Sequence, residues 1–339
     1  DLGAIQITGD LDLNAAIGNG ATAGATSLAV SGTTNIGANI TTSSTQTYND
    51  AVTFNGTLDF TGSTVQFVST LAGNDGTGDN LTISGALDLD GAATSLTSLT
   101  VEGASNLGAN VTTSGTQIYT GAVTLSGAAR TLTTAGSAVT FSNTVNGGQD
   151  LTVDTNGTDN NSSLATVQFS NTVGNSTAVG AVLITGNLDL NAAVTSATSL
   201  EVTGTSNLGA NVTTTGTQTY TGASTISANI TLTTSDNDVT FSSTTNAGSA
   251  GDTLDVDTGT GDLTFTGAVG GSTALGNITI DTAGLTAAAI KLQGTLDITN
   301  SAASSITGVI SNGASAASLT KAGAGTLTLS GTNTYTGAT

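Results

Sequence analysis

The sequence predicts an all-β protein that folds as a right-handed parallel β-helix, an elongated rod of stacked coils. Three observations lead to this fold class: short alternating triplets, turn-forming residues after each triplet, and long repeats whose spacing drifts by a few residues. Glycine, threonine, serine and asparagine are abundant and disfavour helices, whereas valine, isoleucine and threonine favour strands. No stretch shows a convincing helical periodicity.

The local unit is a triplet of an apolar, a polar and an apolar residue. Such a triplet alternates with a period of two, which is typical of a strand with one buried face. Gly, Asn, Asp or Ser follow each triplet and favour turns. Within the LDL triplets we expect the leucines to face inward and the aspartates outward, because a buried unpaired carboxylate is costly. These residues are Leu11, Leu13, Leu89, Leu188 and Leu190 inside, and Asp12, Asp88 and Asp189 outside.

Long repeats are built from these triplets. Residues 103–121 return as residues 204–222 with 16 of 19 positions identical, and residues 32–50 are a looser copy. The predicted organisation is one continuous solenoid over residues 1–339 made of repeats of about 100 residues. It comprises a shortened copy at 1–102 and copies at 103–203 and 204–339, as a segment or subunit of a longer assembly.

Spacing that drifts while the alternation is kept favours a solenoid, because each coil must return a strand to the same side while its turns can gain or lose residues. An up-and-down barrel or a string of sandwiches is the alternative. Both usually need longer strands, and sandwich cores usually contain more than the 3% of aromatic residues found here.

The composition excludes several classes of function. The net charge of −20 and only three basic residues, Arg130, Lys291 and Lys321, argue against binding to nucleic acid or anionic membranes. Histidine and cysteine are absent, which removes the commonest general base and the thiolate metal ligand. A β-helical lyase needs a basic residue beside clustered acids, and the three basic residues lie in different repeats. The sequence therefore predicts that the protein is not an enzyme.

The stretch GTLTLSGTNTYTGAT (325–339) resembles the autotransporter-associated β-strand repeat. The matching positions are Gly325, Leu327, Thr328, Leu329, Gly331, Asn333, Thr334, Tyr335, Thr336, Gly337 and Thr339. Most of the chain is similar, more loosely, to repeat regions of filamentous haemagglutinin-like exoproteins. The resemblance implies a β-solenoid passenger segment of a secreted bacterial protein, located outside the cell at its surface.

Aspartates and asparagines cluster in glycine-rich stretches, and calcium prefers such oxygen ligands. The best candidates for a calcium site are Asp255, Asp257 and Asp262, followed by Asp75 and Asp79. The alternative is that these stretches are solvated turns without a metal ion. No other cofactor is expected.

Two further sets of residues hold fixed places in the repeats. Tyr48, Tyr119, Tyr220 and Tyr335 either form an aromatic ladder for glycans or a partner, or cover the core. Asn110 and Asn211, and Asn39 by analogy, could form internal amide ladders, a structural role in which each buried amide is paired with its neighbours. An ice-binding surface would need outward Thr-x-Thr ladders, whereas threonine here sits singly between two inward residues.

These observations favour a structural extracellular protein, either a stiff shaft or a filament-forming subunit. The alternative is an adhesin passenger that binds a ligand on a host or biofilm surface. As partners we expect other copies of the chain, joined end to end through terminal coils, or neighbouring segments of a longer chain. Neither end shows a polar cap, which is why end-to-end pairing is expected.

Overall fold

The computed structural model describes residues 2–19, 21–157 and 164–339, and the regular structure in this part of the chain is β-strand without helix. The chain divides into two compact units between Asn171 and Thr172. In each unit short parallel strands return to the same side coil after coil, so each unit is a parallel β-solenoid. This confirms the predicted fold class. The continuity of one solenoid over residues 1–339 stays a prediction.

The first unit contains strands of two to five residues. They are β1 (Ile5–Ile7), β2 (Leu11–Leu13), β3 (Leu28–Val30), β4 (Thr34–Ile36), β5 (Ile40–Thr41), β6 (Thr45–Tyr48), β7 (Val52–Phe54), β8 (Thr57–Thr61), β9 (Thr64–Phe67), β10 (Leu71–Gly73), β11 (Asn80–Ile83), β12 (Ala86–Leu89), β13 (Ala93–Leu96), β14 (Ser98–Val101), β15 (Ser105–Leu107), β16 (Val111–Thr113), β17 (Gln117–Tyr119), β18 (Val123–Leu125), β19 (Arg130–Thr133), β20 (Val139–Phe141), β21 (Val145–Asn146), β22 (Leu151–Asp154) and β23 (Thr166–Phe169).

These strands form three sides of a coil. Side A stacks β1, β3, β6, β9, β12, β15, β18 and β21. Side B stacks β2, β4, β7, β10, β13, β16, β19 and β22. Side C stacks β5, β8, β11, β14, β17, β20 and β23. A coil therefore takes one strand from each side, and its turns vary in length: Leu87 pairs with Ser105, 18 residues later, whereas Ile5 pairs with Leu28, 23 residues later.

The second unit repeats this arrangement. Its strands are β24 (Val179–Thr185), β25 (Asn187–Leu190), β26 (Val194–Val202), β27 (Ser206–Leu208), β28 (Val212–Thr214), β29 (Gln218–Tyr220), β30 (Ser224–Ile226), β31 (Ile230–Thr233), β32 (Val239–Phe241), β33 (Thr245–Ala247), β34 (Leu254–Asp257), β35 (Leu263–Phe265), β36 (Ile278–Thr282), β37 (Leu285–Ala287), β38 (Ile290–Leu292), β39 (Thr295–Asn300), β40 (Ser304–Ile306), β41 (Ile310–Asn312), β42 (Ser318–Ala322) and β43 (Leu327–Leu329).

Its three sides are also parallel stacks. Side D contains β24, the end of β26, β29, β32, β35, β37, β40 and β43. Side E contains β25, β27, β30 and β33, which Val269 links to β38 and β41. Side F contains the start of β26, β28, β31, β34, β36, β39 and β42.

The cores follow the alternation of the triplets. Leu89, Leu188 and Leu190 are buried, while Asp189 lies on the outer face between two buried leucines. Asp12 and Asp88 also face outward, and Leu11 and Leu13 face inward but are half-buried. The predicted register of the LDL triplets is confirmed. Each fully buried leucine contributes about 1.5–3 kcal/mol, so many short strands together stabilise each coil.

Aromatic side chains stack along the interior of both units. In the first unit, Tyr119 lies over Phe141 with ring centroids 5.4 Å apart, and Phe141 lies over Phe169 at 5.0 Å. In the second unit, Tyr220, Phe241 and Phe265 repeat this column, with centroid distances of 4.8 and 5.0 Å. Because the strands pair in register, each ring meets its equivalent on the next coil.

The long sequence repeat is out of phase with the coil. In the first unit, the copy that ends at Tyr48 occupies β4, β5 and β6, on sides B, C and A. The copy that ends at Tyr119 occupies β15, β16 and β17, on sides A, B and C. Equivalent residues of the two copies therefore lie on different sides of the coil, shifted by one side.

Candidate functional site

Asp79, one of the five aspartates predicted as calcium ligands, is fully buried at the end of the turn before β11. Its Oδ1 accepts the N–H of Gly56 at 2.8 Å, and its Oδ2 accepts those of Asp75 and Gly76 at 3.2 and 3.1 Å. Its own N–H donates to Thr97 Oγ1. Hydrogen bonds to a charged acceptor are strong, so this carboxylate fixes the shape of the turn.

Asp75 lies in the same turn but is exposed. Its Oδ1 accepts the N–H of Thr77 at 2.8 Å, which is an Asx-turn. The structure therefore brings Asp75 and Asp79 into one turn, where both carboxylates accept backbone N–H groups.

The other three predicted ligands are divided between a strand and a turn. Asp255 and Asp257 lie on the outer face of β34, and Asp257 also accepts the N–H of Gly259. Asp262 lies in the turn before β35, where its N–H donates to Asp238 Oδ1 at 2.8 Å. The spacing in the sequence suggests a single site, but β34 ends at Asp257, so Asp262 lies apart from Asp255 and Asp257 in the following turn.

The pairing of side F gives Asp257 a different neighbour. Asp257 pairs directly with Asp281 of the next coil. Asp255 has no such acidic neighbour, because Thr279 lies between it and Asp297. Neighbouring strands lie about 4.7–4.9 Å apart, so the carboxylates of Asp257 and Asp281 repel each other. The sequence carried a signal for this pair, because LDVD (254–257) aligns with ITID (278–281).

No three acidic side chains converge closely enough to hold a metal ion in the part of the chain that the structure describes. Calcium takes six to eight oxygen ligands, so Asp257 and Asp281 would have to be completed by carbonyl groups or water. Calcium binding stays a prediction.

Three of the four repeated tyrosines lie in the core. Tyr48, Tyr119 and Tyr220 are fully buried, so the hypothesis that they form a ladder for glycans is wrong. Their side chains share the inward face with the buried apolar residues of the same strands. Tyr335 is half-buried, and its hydroxyl lies 2.6 Å from Thr339 Oγ1.

Each buried tyrosine is held by a buried glutamine two residues earlier, which sequence reasoning missed. Tyr119 Oη donates to Gln117 Oε1 at 3.1 Å, and Gln117 Nε2 donates to Thr133 O at 2.9 Å. Equivalent bonds join Tyr48 to Gln46 and Tyr220 to Gln218. The signal was the spacing of two residues, which places Gln on the same face as Tyr.

The repeated asparagines are exposed at the corners and do not form internal amide ladders, so that expectation is wrong. Each directly precedes a strand, where the chain turns and the side chain points away from the core. The Oδ1 atom of each accepts a backbone N–H of the next coil. The pairs are Asn39 with Asp59 at 3.0 Å, Asn110 with Thr131 at 2.9 Å, and Asn211 with Thr231 at 2.9 Å.

Five strands of side D carry a second outward hydroxyl group beside the single residue expected between two inward ones. The residue after each triplet keeps the ladder register, as where Ser242 N donates to Tyr220 O and Thr266 N to Phe241 O. It therefore also faces outward, two residues from the middle of the triplet. The pairs are Thr219 and Thr221, Thr240 and Ser242, Thr264 and Thr266, Ser305 and Thr307, and Thr328 and Ser330.

Acidic and amide side chains alternate along the outer faces elsewhere. Asp88 accepts hydrogen bonds from Gln66 Nε2 at 3.0 Å and from Asn106 Nδ2 at 2.7 Å. Asp189 is bonded in the same way by Asn207 at 2.8 Å. An amide between coils keeps carboxylates apart and satisfies their oxygens, so these ladders stabilise the outer surface.

Two of the basic residues, Arg130 and Lys321, donate hydrogen bonds to backbone carbonyl groups. Arg130 is buried, and its guanidinium donates to the carbonyl oxygens of Ala128 and Gly108. Lys321 Nζ donates to the carbonyl oxygens of Ala322 and Gly323. Burial lowers the pKa of Arg130 from its ordinary value by desolvation, but the group remains charged at neutral pH.

The comparisons with known proteins bear on the last coils of the second unit. Residues 319–339 match the family model described as passenger-associated-transport-repeat. This confirms the resemblance to autotransporter passenger repeats, over a segment that includes β43. No curated protein and no solved structure matches the chain. Within the described residues, none forms a helix with the length and apolar character needed to cross a membrane.

Proposed function

We propose that the chain is part of an autotransporter passenger domain and that its solenoid acts as a stiff structural shaft at the bacterial cell surface. The passenger-associated repeat at 319–339 and the β-solenoid fold both fit a passenger domain. Our proposal goes beyond this in one respect: the solenoid is a shaft outside the cell and not a ligand-binding region.

The single observation that supports a shaft most is the phase of the repeat in the first unit. The repeat copy that ends at Tyr48 and the repeat copy that ends at Tyr119 lie on different sides of the coil. A repeated binding surface needs its copies to face the same way. A scaffold needs only that each copy fills the interior, and Gln46 and Gln117 do so in the same way in both orientations.

Binding measurements and electron microscopy test this proposal together. The purified chain should form straight particles of constant width. It should show no saturable binding to arrays of glycans and matrix proteins beyond that of a charge-matched unrelated protein.

The adhesin alternative would be supported by saturable binding that depends on surface residues. The turn before β11 is the place to examine, because it extends one coil by a segment held by the buried Asp79. If Thr77→Ala in this turn abolished such binding without lowering the melting temperature, the shaft proposal would fail.

A catalytic role is not part of the proposal, and end-to-end association through terminal coils stays a prediction. Sedimentation velocity over a range of concentrations measures the association. Growth into open polymers would support the filament-forming subunit, whereas a monomer at all concentrations would contradict it.

The hydroxyl columns of side D favour a second candidate function, binding to ice. Strand pairing repeats these hydroxyl pairs every 4.7–4.9 Å or so from β29 to β35, and Ala288 interrupts the second column after β37. Thermal hysteresis and inhibition of ice recrystallisation measure this activity. The double variant Thr240→Tyr and Thr264→Tyr should abolish it if side D is responsible, and Thr82→Tyr on side C is the matched control.

A further inference from the structure

Four of the Asn-x-Thr sequences in the chain share one geometry at the corners of coils. Each asparagine is exposed and directly precedes a strand, the middle residue is a buried valine or isoleucine, and the threonine lies on the outer face. Asn-x-Thr is the sequence to which N-linked sugars are attached. The four asparagines are Asn110, Asn211, Asn229 and Asn277, before β16, β28, β31 and β36.

The amide group of each of these asparagines is oriented by one hydrogen bond. The Oδ1 atom accepts the N–H of a residue on the next coil, at 2.9 Å for Asn110, Asn211 and Asn277 and 3.0 Å for Asn229. The Nδ2 atom makes no hydrogen bond to any residue in the described ranges. The carbonyl half of the amide is thus fixed to the protein, and the nitrogen half is left toward solvent.

We propose that these four asparagines are acceptor sites for N-linked glycosylation. The sugar donor is a hexose activated as a nucleotide diphosphate. The bond between Nδ2 and the anomeric carbon forms, the bond from that carbon to the diphosphate oxygen breaks, and the nucleotide diphosphate leaves with the electron pair. The proton lost from Nδ2 passes to a base of the transferase.

The fold accommodates this modification at the four corners. Glycosylation leaves the Oδ1 atom as a carbonyl oxygen, so the hydrogen bond to the next coil is retained. The sugar extends from Nδ2 into solvent, away from the buried valine or isoleucine that follows. A glycan at Asn211, for example, does not require any change in the pairing of Val212 with Leu232.

Asn80 provides an internal control, because it begins the sequence Asn80-Leu81-Thr82 in a different environment. Its Nδ2 donates to Thr57 Oγ1 and Gly78 O, both at 3.1 Å, and its Oδ1 accepts the hydroxyl of Ser98 at 2.7 Å. Both ends of this amide are engaged in the folded chain. Glycosylation replaces one of the two Nδ2 hydrogens, so it would break at least one of these two bonds, and we expect Asn80 to remain unmodified.

The experiment uses the full folded chain, a soluble asparagine glycosyltransferase and UDP-glucose. The enzyme is chosen beforehand because it modifies two free peptides, one around Asn80 and one around Asn211, at equal rates. Peptide mapping by mass spectrometry should then find hexose at Asn110, Asn211, Asn229 and Asn277 of the folded chain, with at least tenfold lower occupancy at Asn80. Thr213→Val should remove the hexose from Asn211 alone.

Two readings of this experiment overturn the proposal. One is a folded chain that stays unmodified at the four corners, and the other is occupancy at Asn80 equal to theirs. A second measurement tests whether the fold tolerates the sugar once it is attached. The modified chain should melt at the same temperature as the unmodified chain. A marked drop in the melting temperature would show that the corners do not accommodate the sugar and would also overturn the proposal.

Discussion

At the scale of single residues, the buried glutamine and tyrosine side chains satisfy each other. Gln218 Oε1 accepts the hydroxyl of Tyr220 at 3.2 Å, and Gln218 Nε2 donates to Thr233 O at 2.9 Å. A buried polar atom that loses its partner costs more than the bond itself contributes, because the atom has already left water. The pair therefore has to be treated as one unit when its members are changed.

Tyr119→Phe should lower the free energy of unfolding by about 1–3 kcal/mol, because it leaves the buried Gln117 Oε1 without its donor. Urea unfolding followed by circular dichroism measures the loss. Tyr335→Phe is the control, since its hydroxyl bonds at the surface and the change should stay within about 0.5 kcal/mol. Equal effects of the two substitutions would contradict the assigned role of the glutamine.

Arg130→Ile should raise the free energy of unfolding by about 1 kcal/mol, because burial of apolar surface and removal of a charge outweigh the loss of two part-buried hydrogen bonds to Ala128 and Gly108. Arg130 occupies the inward position that Ile230 holds in the other copy of the repeat, and both side chains are buried. Thermal melting measures the gain. The reverse substitution, Ile230→Arg, should destabilise the protein, and a stabilising result for it would refute the equivalence of the two positions.

At the scale of the strand, one residue of register decides which face a side chain occupies. β25 pairs with β27 so that Asp189 meets Asn207, while Leu190 meets Leu208 in the core. A slip of one residue would exchange the carboxylate and the leucines between the two faces. The strands are short, so each depends on its neighbours in the stack for its position.

Leu190→Asp should therefore destabilise the second unit far more than Asp189→Leu. The first substitution removes a buried leucine, at about 2–5 kcal/mol, and buries a charge in its place. The second leaves an apolar side chain on the outer face and removes the hydrogen bonds that Asp189 accepts from Asn207 and Asn191. Thermal melting of both variants compares them directly, and equal shifts would be incompatible with a core on one face of β25.

Asp257→Asn and Asp281→Asn should each raise the stability of the second unit by about 0.2–1 kcal/mol, because each removes one of two like charges on adjacent coils. The gain should shrink as salt screens the repulsion. Calcium is the competing interpretation: if the pair binds the ion, millimolar calcium should raise the melting temperature of the parent chain but not of either variant. Asp88→Asn on side A is the matched control.

The direction of the apolar triplets could be predicted from sequence, but the direction of the amide side chains could not. Leu190 and Asp189 are distinguished by hydropathy, which is a local property. Gln117 and Asn110 are equally polar, and the first lies in the core while the second is exposed. The burial of an amide side chain depends on whether its residue lies inside a strand or at the corner before the strand. The position of a corner depends on the turn geometry of the whole coil.

The calcium candidates show the same limit at the level of pairing. Asp255, Asp257 and Asp262 are close in sequence, yet the strand ends between them. Asp281 lies a coil further along the chain and becomes the neighbour of Asp257. Pairing across coils depends on the length of each turn, which varies along the chain and is not encoded in the triplets.

At the scale of the whole molecule, the three buried tyrosines make stability sensitive to alkaline pH. Burial raises the pKa of Tyr48, Tyr119 and Tyr220 far above the ordinary value by desolvation. In the unfolded chain the same hydroxyls ionise at a pH of about 10. Protons are then bound by the folded state and not by the unfolded state, so stability falls as the pH rises.

The contribution of these hydroxyls is fully present below a pH of about 10 and declines above it, by roughly 1.4 kcal/mol per pH unit for each tyrosine. Urea unfolding at a series of alkaline pH values measures this slope. Tyr220→Phe should make the slope shallower by one such increment. Phenolate absorbance of the three buried tyrosines should appear only together with loss of strand signal, and its appearance in folded protein would contradict their burial.

The offset of the repeat within the first unit has a consequence for how such a gene can lengthen. Tyr48 and Tyr119 are 71 residues apart and lie on different sides, yet both fill the interior in the same way. Recombination between these two copies would therefore change the chain by eleven strands, which is not a whole number of three-strand coils. Such a product keeps the inward Gln and Tyr pair in both copies, so its length is not restricted to complete coils.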